Sequence, residues 1–323
     1  MINAKITGVG GYVPEKVYDN AYMESIVDTS DEWIIRRTGV KERHISDDNE
    51  YTSDMAIKAS QIALENSGLK AEELDLIILA TVTPDYFTPA CACLVQKALG
   101  AVNAAAFDYN AACSAFVTGL TIAKQFIAAG TYKNVLVVCA DTLSKATDYA
   151  DRATCVLFGD AAGAAVVSAT EENGIMETEL GSDGDLAITA LAYRNSDEEN
   201  EKRVSKRKET IWMAGQAVMK FAVKAMADAS LRVLEKSGLS WDDITLVIPH
   251  QANYRIVDSA IKRMGITEDK VFLTLEKYGN TSASCIPVAL SEAVAEGRIK
   301  KGDKIILVGF GGGLTWGAAL LEW

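Results

Sequence analysis

Three residues of this sequence have the types that could form a nucleophilic site: a cysteine, a histidine and an asparagine. Cys113 lies in the string NAACSAF, His250 in PHQAN and Asn280 in GNTSAS. His250 is one of two histidines, and it closes an apolar run, where a ring at the end of a buried strand can reach a site. The set predicts a thiol nucleophile with two hydrogen-bonding partners.

The surroundings of Cys113 predict a reactive thiol. It follows the apolar stretch 104–109 and opens a helix with apolar positions at helical spacing, namely Phe116, Leu120, Ala123 and Ile127. Because the positive end of a helix dipole favours thiolate, we expect a lowered pKa for Cys113. The other cysteines lie in apolar or alanine-rich segments, and we predict that they are small buried residues. These are Cys91, Cys93, Cys139, Cys155 and Cys285.

Composition narrows the class of protein. The chain has 323 residues, is 49% hydrophobic and contains five prolines, which predicts one large or two fused globular domains. A net charge of −12 argues against nucleic acid as a partner. The N-terminus lacks a signal sequence, and no apolar run is long enough to cross a bilayer, so we expect a soluble cytoplasmic protein without a membrane partner. The cysteines lack CxxC spacing, which predicts free thiols and no metal site.

Long segments of the chain occur twice. LENSGL at 64–69, with its following strand at 74–78, returns as LEKSGL at 234–239 with a strand at 244–248. A second pair sets 113–130 beside 280–297, a register in which Cys113 faces Asn280, and a third sets GAAVV beside GAALL. The repeat predicts two similar α/β halves, 1–170 with the cysteine and 171–323 with the histidine and asparagine, related by a pseudo-twofold axis. The irregular, charged stretch 196–209 is interpreted as a solvated loop or flap.

Taken together, these residues resemble β-ketoacyl-[acyl carrier protein] synthase III, the initiating condensing enzyme of type II fatty acid synthesis. The resemblance covers nearly the whole chain. It includes WI at 33–34 with RTGV at 37–40, ATVTPD at 80–85, Arg152 before FGD at 158–160, and GFGGGLTWG at 309–317. It implies a thiolase-like α/β fold with α-β-α-β-α layers, a homodimer, and an acyltransferase whose substrates are acyl-CoA and malonyl-acyl carrier protein. It implies no cofactor, since acyl-CoA is a substrate.

The resemblance also implies a role for each motif. Cys113 would carry the acyl group, and His250 and Asn280 would stabilise the enolate formed when the malonyl group loses carbon dioxide. The backbone N–H groups of Cys113 and Gly312 would form the oxyanion hole. Trp33 and Arg152 would hold the adenine of CoA between them. The implied CoA contacts are Trp33, Arg37, Thr38, Arg152, Gly215 and Asn253.

Carrier protein and primer would bind at two further places. A basic face on the helix after His250 would dock the acidic carrier protein, through Gln251, Arg255, Lys262 and Arg263. Phe87 and Thr88 would border the acyl pocket across a dimer interface. The preferred primer is left open, because pocket volume sorts starter groups by fractions of a side chain.

Three departures from the commonest family pattern leave every catalytic atom in place: Ala161, Ser284-Cys285 in place of an alanine-serine pair, and Met219. The alternative functions are an acyl-CoA-dependent acyltransferase or a polyketide-type condensing paralogue of the same fold. A paralogue that only binds acyl-CoA is disfavoured by the intact cysteine, histidine and asparagine. Elongating synthases need a second active-site histidine, and degradative thiolases need a cysteine in the last glycine-rich loop, where this chain has none.

Overall fold

The computed structural model describes residues 2–185, 187–189 and 210–323, so the predicted flap at 196–209 lies outside the described residues. Its strands are β1 Asn3–Tyr12, β2 Lys16–Asp19, β3 Glu42–Ile45, β4 Leu76–Ala80, β5 Ala105–Tyr109, β6 Asn134–Asp141, β7 Ala161–Thr170, β8 Ile175–Asp185, β9 Ile188–Thr189, β10 Trp212–Met213, β11 Leu246–Pro249, β12 Lys304–Gly311 and β13 Gly313–Glu322. Its α-helices are α1 Asn20–Ile26, α2 Asp31–Thr38, α3 Thr52–Ser67, α4 Cys91–Leu99, α5 Ala115–Ala128, α6 Arg152–Cys155, α7 Gly215–Ser237, α8 Tyr254–Met264, α9 Leu275–Tyr278 and α10 Cys285–Ala295.

Two mixed sheets share one strand order. The first runs β1-β7-β6-β4-β5, and the second, read from its matching edge, runs β8-β13-β12-β11. The first sheet has the parallel pair β4–β6, and the second has the parallel pair β11–β12. Each pair has an antiparallel neighbour: β7 lies beside β6, and β13 lies beside β12. Val271 forms a parallel bridge to Val247 of β11, at the place that β5 fills beside β4. The duplication seen in the sequence is therefore a duplication of topology.

Helices cover both faces of each sheet, which gives the predicted α-β-α-β-α layers. One core contains α5 and α10 together with inward-facing residues from both sheets. A second core joins α3 and α4 to the outer face of the first sheet, and a third joins α7 and α8 to the outer face of the second. Strands covered on both faces lack alternation, which is why every residue of β4 is buried. The helical stripe of Phe116, Leu120, Ala123 and Ile127 is also buried, as predicted.

The register predicted for the second repeat is wrong at the site. Short 3-10 turns, Ala112–Ser114 and Ser282–Ser284, precede α5 and α10. In both turns the first residue has positive φ and donates its N–H to an asparagine two residues earlier, Asn110 or Asn280. The counterpart of Asn280 is therefore Asn110, and Cys113 corresponds to Ala283. The sequence register failed because α10 is three residues shorter than α5, so the terminal glycines align only by displacing the helix starts.

The packing of β7 against α10 gives a test of this arrangement. A methyl group added at Gly163 would lie 2.6 Å from Pro287 Cγ and 3.0 Å from the Val288 nitrogen. We expect Gly163→Ala to lower the free energy of unfolding by about 1–3 kcal/mol, because a packed core resists added volume. Thermal unfolding followed by circular dichroism measures the effect. Gly184→Ala is the control, since its added methyl meets nothing within 4 Å, and equal stability of the two variants would contradict the packing.

Candidate active site

One cavity of about 360 Å³ brings the three predicted catalytic residues together. Cys113, His250 and Asn280 all line it. The turn between β12 and β13 supplies its glycines, and the rest of the wall is mostly apolar. Other lining residues are Val82, Leu143, Phe158, Ile188, Ile211, Met213, Val218 and Phe310. An apolar cavity with few polar groups suits a ligand of acyl type with one reacting end.

Cys113 sits in the turn before α5, and hydrogen bonds fix that turn. The Ser114 hydroxyl donates to the Ala111 carbonyl at 2.9 Å and lies 3.0 Å from Thr315 Oγ1. Thr315 in turn donates to the Ala111 carbonyl at 3.0 Å, which ties the turn to β13. Cys113 Sγ lies 3.4 Å from the Ser282 hydroxyl of the opposite turn. The two related turns therefore meet at the thiol.

The expected lowering of the Cys113 pKa is wrong. The pKa of the thiol is raised to about 12, chiefly by burial; the Ser282 hydroxyl opposes the rise, and the buried Asp141 carboxylate adds to it. The regular helix begins only at Ala115, after the 3-10 turn, so Cys113 does not lie at the first turn of the helix as the sequence pattern suggested. Burial therefore favours the neutral thiol.

His250 follows the last residue of β11 and is 1% exposed. Its backbone N–H donates to the Val308 carbonyl at 2.7 Å, and its ring stands edge-on to Phe310 with centroids 5.1 Å apart. Nδ1 lies 2.9 Å from Cys285 Sγ, whereas Nε2 is buried and has no hydrogen-bond partner among the described residues. Burial lowers the pKa of the imidazole to about 3, so the ring is neutral.

Asn280 is held by its backbone and by one end of its amide. Its N–H donates to the Leu157 carbonyl at 2.8 Å, and its carbonyl accepts the Gly159 N–H at 3.1 Å. Its Oδ1 accepts the Ser282 N–H at 3.0 Å, which leaves the Nδ2 amine as the group that can donate to a ligand. The FGD string quoted from the sequence thus anchors Asn280. Asp160 fixes that string, since its carboxylate accepts hydrogen bonds from Ser46 and Ser144.

The glycine-rich turn lies directly against Cys113. A Cβ at Gly311 would fall 2.5 Å from the Cys113 nitrogen, and one at Gly309 would fall 3.1 Å from the Cys113 carbonyl oxygen. Only glycine permits this approach of two backbones. Gly312 lines the cavity, as the predicted oxyanion hole requires.

Comparison with known proteins agrees with this geometry. Family models described as 3-oxoacyl-[acyl-carrier-protein] synthase III and its C-terminal part match residues 107–184 and 234–323. A β-ketoacyl-[acyl-carrier-protein] synthase III from Clostridioides difficile is 54% identical, over 99% of this chain and 98% of its own. The chain belongs to the β-ketoacyl-[acyl carrier protein] synthase III family.

Two solved structures of family members superimpose on nearly the whole chain. The synthase III from Aquifex aeolicus has a TM-score of 0.92 and 47% identity, with 99% of this chain and 100% of that chain covered. The synthase III from Thermus thermophilus has a TM-score of 0.94 and 44% identity, with 99% of each chain covered. The predicted thiolase-like fold is confirmed.

Three of the residues expected to bind CoA cluster on the surface. Trp33 of α2 is half-buried, and the guanidinium carbons of Arg152 and Arg37 lie 5.0 Å and 5.8 Å from its ring centroid. Arg152 also donates to the Asp28 carbonyl at 3.0 Å. Arg152 therefore already covers the indole, and an adenine could enter between them only if Arg152 moved outward.

The remaining expected CoA residues are differently placed. Thr38 is 4% exposed, and its hydroxyl donates to the Ile34 carbonyl and accepts the Val40 N–H. The Thr38 side chain is therefore not available for the implied contact with CoA. Asn253 caps α8 and donates to the Arg37 carbonyl at 3.0 Å, so it joins α8 to α2. Gly215, the first residue of α7, is exposed and does not line the cavity.

The expected carrier-protein surface needs one correction. Gln251 is 0% exposed, and its Oε1 accepts the N–H groups of Thr274 and Leu275, so its side chain cannot touch a partner. Lys262 and Arg263 are exposed but pair with Asp258 at 2.8 Å and Asp228 at 3.3 Å. Arg255 is exposed and makes no side-chain hydrogen bond or ion pair with the described residues. Of the four residues, Arg255 therefore has the positive charge that is most available to a partner.

Phe87 and Thr88 do not reach the cavity of their own chain. Phe87 is 77% exposed, and neither residue lines the cavity. This placement agrees with a role across a subunit interface, which remains a prediction. Within the described residues no helix is long and apolar enough to span a membrane, and no cluster of three metal-binding side chains occurs.

Sequence reasoning missed several residues of the site. Cys285 was expected to be a simple buried residue, yet it contacts His250 Nδ1, and its departure from the commonest family pattern was the signal. Cys93 was expected to be buried and is exposed. Asp141, at the end of β6, accepts the Val82 N–H at 2.7 Å and acts on the thiol, but its distance from any motif left no signal.

The neutrality of His250 can be tested by titration. The unfolded chain binds the imidazole proton near pH 6.5 and the folded chain only near 3. The stability contributed by neutral His250 is therefore complete above pH 6.5 and is lost as the pH falls toward 3. We expect its ring resonances in NMR spectra to stay constant between pH 8 and 5. A His44→Gln variant leaves one histidine and assigns the signal, and a midpoint between pH 6 and 7 would contradict the buried site.

Proposed function

We propose that this chain condenses an acyl-CoA primer with malonyl-acyl carrier protein, giving β-ketoacyl-acyl carrier protein, carbon dioxide and free CoA. The family supports this reaction. The observation that carries it is the convergence on one apolar cavity of the Cys113 thiol and two unoccupied polar groups, Nε2 of His250 and Nδ2 of Asn280. A nucleophile and two donors in one cavity fit a reaction with a covalent acyl stage and an enolate stage.

The first stage transfers the acyl group. Cys113 Sγ attacks the thioester carbonyl, the new S–C bond forms, the bond to the CoA sulfur breaks, and the thiol proton ends on CoA. The backbone N–H groups of Cys113 and Gly312 would stabilise the tetrahedral oxyanion. The close packing of the glycine turn against Cys113 supports that arrangement. Since burial raises the pKa of the thiol, the attack requires removal of its proton.

The second stage forms the carbon–carbon bond. The malonyl thioester loses carbon dioxide, and its oxygen becomes an enolate that accepts hydrogen bonds from Nε2–H of His250 and Nδ2–H of Asn280. The enolate carbon attacks the acyl-Cys113 carbonyl, the C–S bond to Cys113 breaks, and the departing thiolate takes up one proton from water to regenerate the thiol. Neutral donors suit this step because they stabilise charge that exists only near the transition state. A neutral His250 in an apolar wall supports this role.

Binding partners follow from three surfaces. CoA would bind at Trp33 and Arg152, and the carrier protein at Arg255, where the acidic chain offers an exposed cation. A second copy would cover the edge strand β5, whose Phe107 is 39% exposed. Phe87 and Val102 are also exposed, at 77% and 72%, and offer further apolar surface. Six free cysteines agree with a reducing, cytoplasmic location.

Intact-protein mass spectrometry and carbon dioxide release separate the two stages. After incubation with a panel of acyl-CoA thioesters we expect a mass gain of one acyl group, absent in Cys113→Ala because only that thiol bonds to the primer. His250→Ala should retain the acyl adduct but release carbon dioxide from malonyl-acyl carrier protein roughly 10²–10³-fold more slowly, as when an oxyanion donor is lost.

Cys93→Ala is the matched control, because it removes an exposed thiol that does not line the cavity. It should behave like the original chain in both assays. An adduct that persists in Cys113→Ala, or no adduct with any donor, would refute the proposed nucleophile. Normal carbon dioxide release by His250→Ala would refute the division of roles.

The carrier-protein surface predicts a selective kinetic effect. We expect Arg255→Glu to raise the KM for malonyl-acyl carrier protein about tenfold and to leave the KM for acyl-CoA nearly unchanged, since the acidic partner loses its cation and meets a like charge. Lys70→Glu makes the same charge change in the first half, beside the 3-10 turn that leads into β4. It should affect neither constant. Equal changes in both constants for Arg255→Glu would exclude the proposed surface.

A further inference from the structure

Cys285 contacts His250, but it has no role in the reaction proposed above. Cys285 is the first residue of α10 and is 2% exposed, and its Sγ lies 2.9 Å from Nδ1 of the imidazole. The same 3-10 turn that follows Asn280 leads directly into Cys285. One end of the imidazole therefore rests on the thiol, and the other end, Nε2, faces the cavity.

Both members of this pair are neutral. Burial raises the pKa of the Cys285 thiol and lowers that of His250 to about 3, so an ion pair of thiolate and imidazolium is disfavoured from both sides. A neutral pair contains one thiol proton and one ring proton. The position of the ring proton decides whether Nε2 is a donor or an acceptor toward the cavity.

The surroundings of the sulfur favour the thiol as donor. Three backbone N–H groups, those of Gln251, Ile286 and Cys285, donate toward the sulfur of Cys285 and lower the pKa of its thiol. The lone pairs of the sulfur therefore already have donors in the backbone. The S–H proton is then free to point at Nδ1. Nδ1 accepts it as a lone pair, which leaves the ring proton on Nε2. The Ser282 backbone also acts on the ring by favouring its protonated form, but Nε2 has no partner among the described residues.

We propose that Cys285 is a positioning residue that donates its thiol proton to Nδ1 of His250 and thereby holds the imidazole as the Nε2–H tautomer, with its N–H aimed into the cavity. The inference rests on the proposed function for the task of that N–H, which is to stabilise the enolate oxygen. It goes further by naming the group that prepares His250 to donate. Serine is expected at this position in the commonest family pattern, and its hydroxyl can donate in the same way.

Two substitutions separate donation from packing. Cys285→Ser keeps a donor of similar size, and Cys285→Ala removes the donor. Because the chain has two histidines, long-range proton–nitrogen NMR correlations on histidine-labelled protein report the tautomer directly, and His44→Gln assigns the signals. We expect the original chain and Cys285→Ser to show protonated Nε2 and unprotonated Nδ1. Cys285→Ala should show a mixture of the two tautomers.

Activity gives the second readout. Cys285→Ala should release carbon dioxide about tenfold or more slowly, because part of the population offers a lone pair where a donor is needed, while acylation of Cys113 by acyl-CoA stays unchanged. Cys285→Ser should restore most of the rate. Protonated Nδ1 in the original chain, or a Cys285→Ala variant with one tautomer and full activity, would overturn the proposal. If the original chain forms no acyl adduct, the proposed function fails, whereas the tautomer result stands independently.

Discussion

The burial of two short turns between two sheets is the constraint on which the site depends. The turns before α5 and α10 lie in the central layer, and that layer is covered by both sheets. Burial removes water from the thiol and from the imidazole, which raises one pKa and lowers the other. The electrostatics of the site follow from the layer order as much as from the identity of the residues.

A desolvated, neutral site needs rigid support, because polar groups that lack water must find their partners in the protein. The support is distributed over the whole chain. Asp160 fixes the string that anchors Asn280, and Thr315 fixes the turn that carries Cys113. Two groups are left for a ligand, Nε2 of His250 and Nδ2 of Asn280, and both lie at the cavity. Six other buried side-chain atoms of the described residues also lack a partner, Asp141 Oδ2 and Gln251 Nε2 among them, but neither Asp141 nor Gln251 lines the cavity.

The duplicated topology explains how one chain builds such a site. In each half a parallel strand ends near the central layer. In each half a 3-10 turn, whose first residue has a positive φ, also leads into a helix of that layer. Both halves keep the asparagine before the turn, Asn110 and Asn280, and both asparagines line the cavity. The halves diverge in the turn itself, where the first has Cys113 and the second Ala283, and at the end of β11, which only the second half follows with His250. Similar backbones have therefore acquired complementary side chains, and the contact between Cys113 and Ser282 marks the place where they meet.

The sequence alone determined the fold class and the duplication, because apolar periodicity and repeated strings are local signals. It also singled out Cys113, His250 and Asn280, which the structure brings to one cavity. It misplaced the repeat register, since a helix shortened by three residues is invisible until the helix starts are seen. It also assigned Gln251 to the carrier-protein surface and Thr38 to the CoA contacts, although both side chains are buried. Adjacent residues in the sequence do not show which side chains the fold buries. The pKa of Cys113 and the contact of Cys285 with His250 were decided only by tertiary structure. Desolvation and a 2.9 Å contact across 35 residues depend on how the layers pack, and no local pattern encodes them.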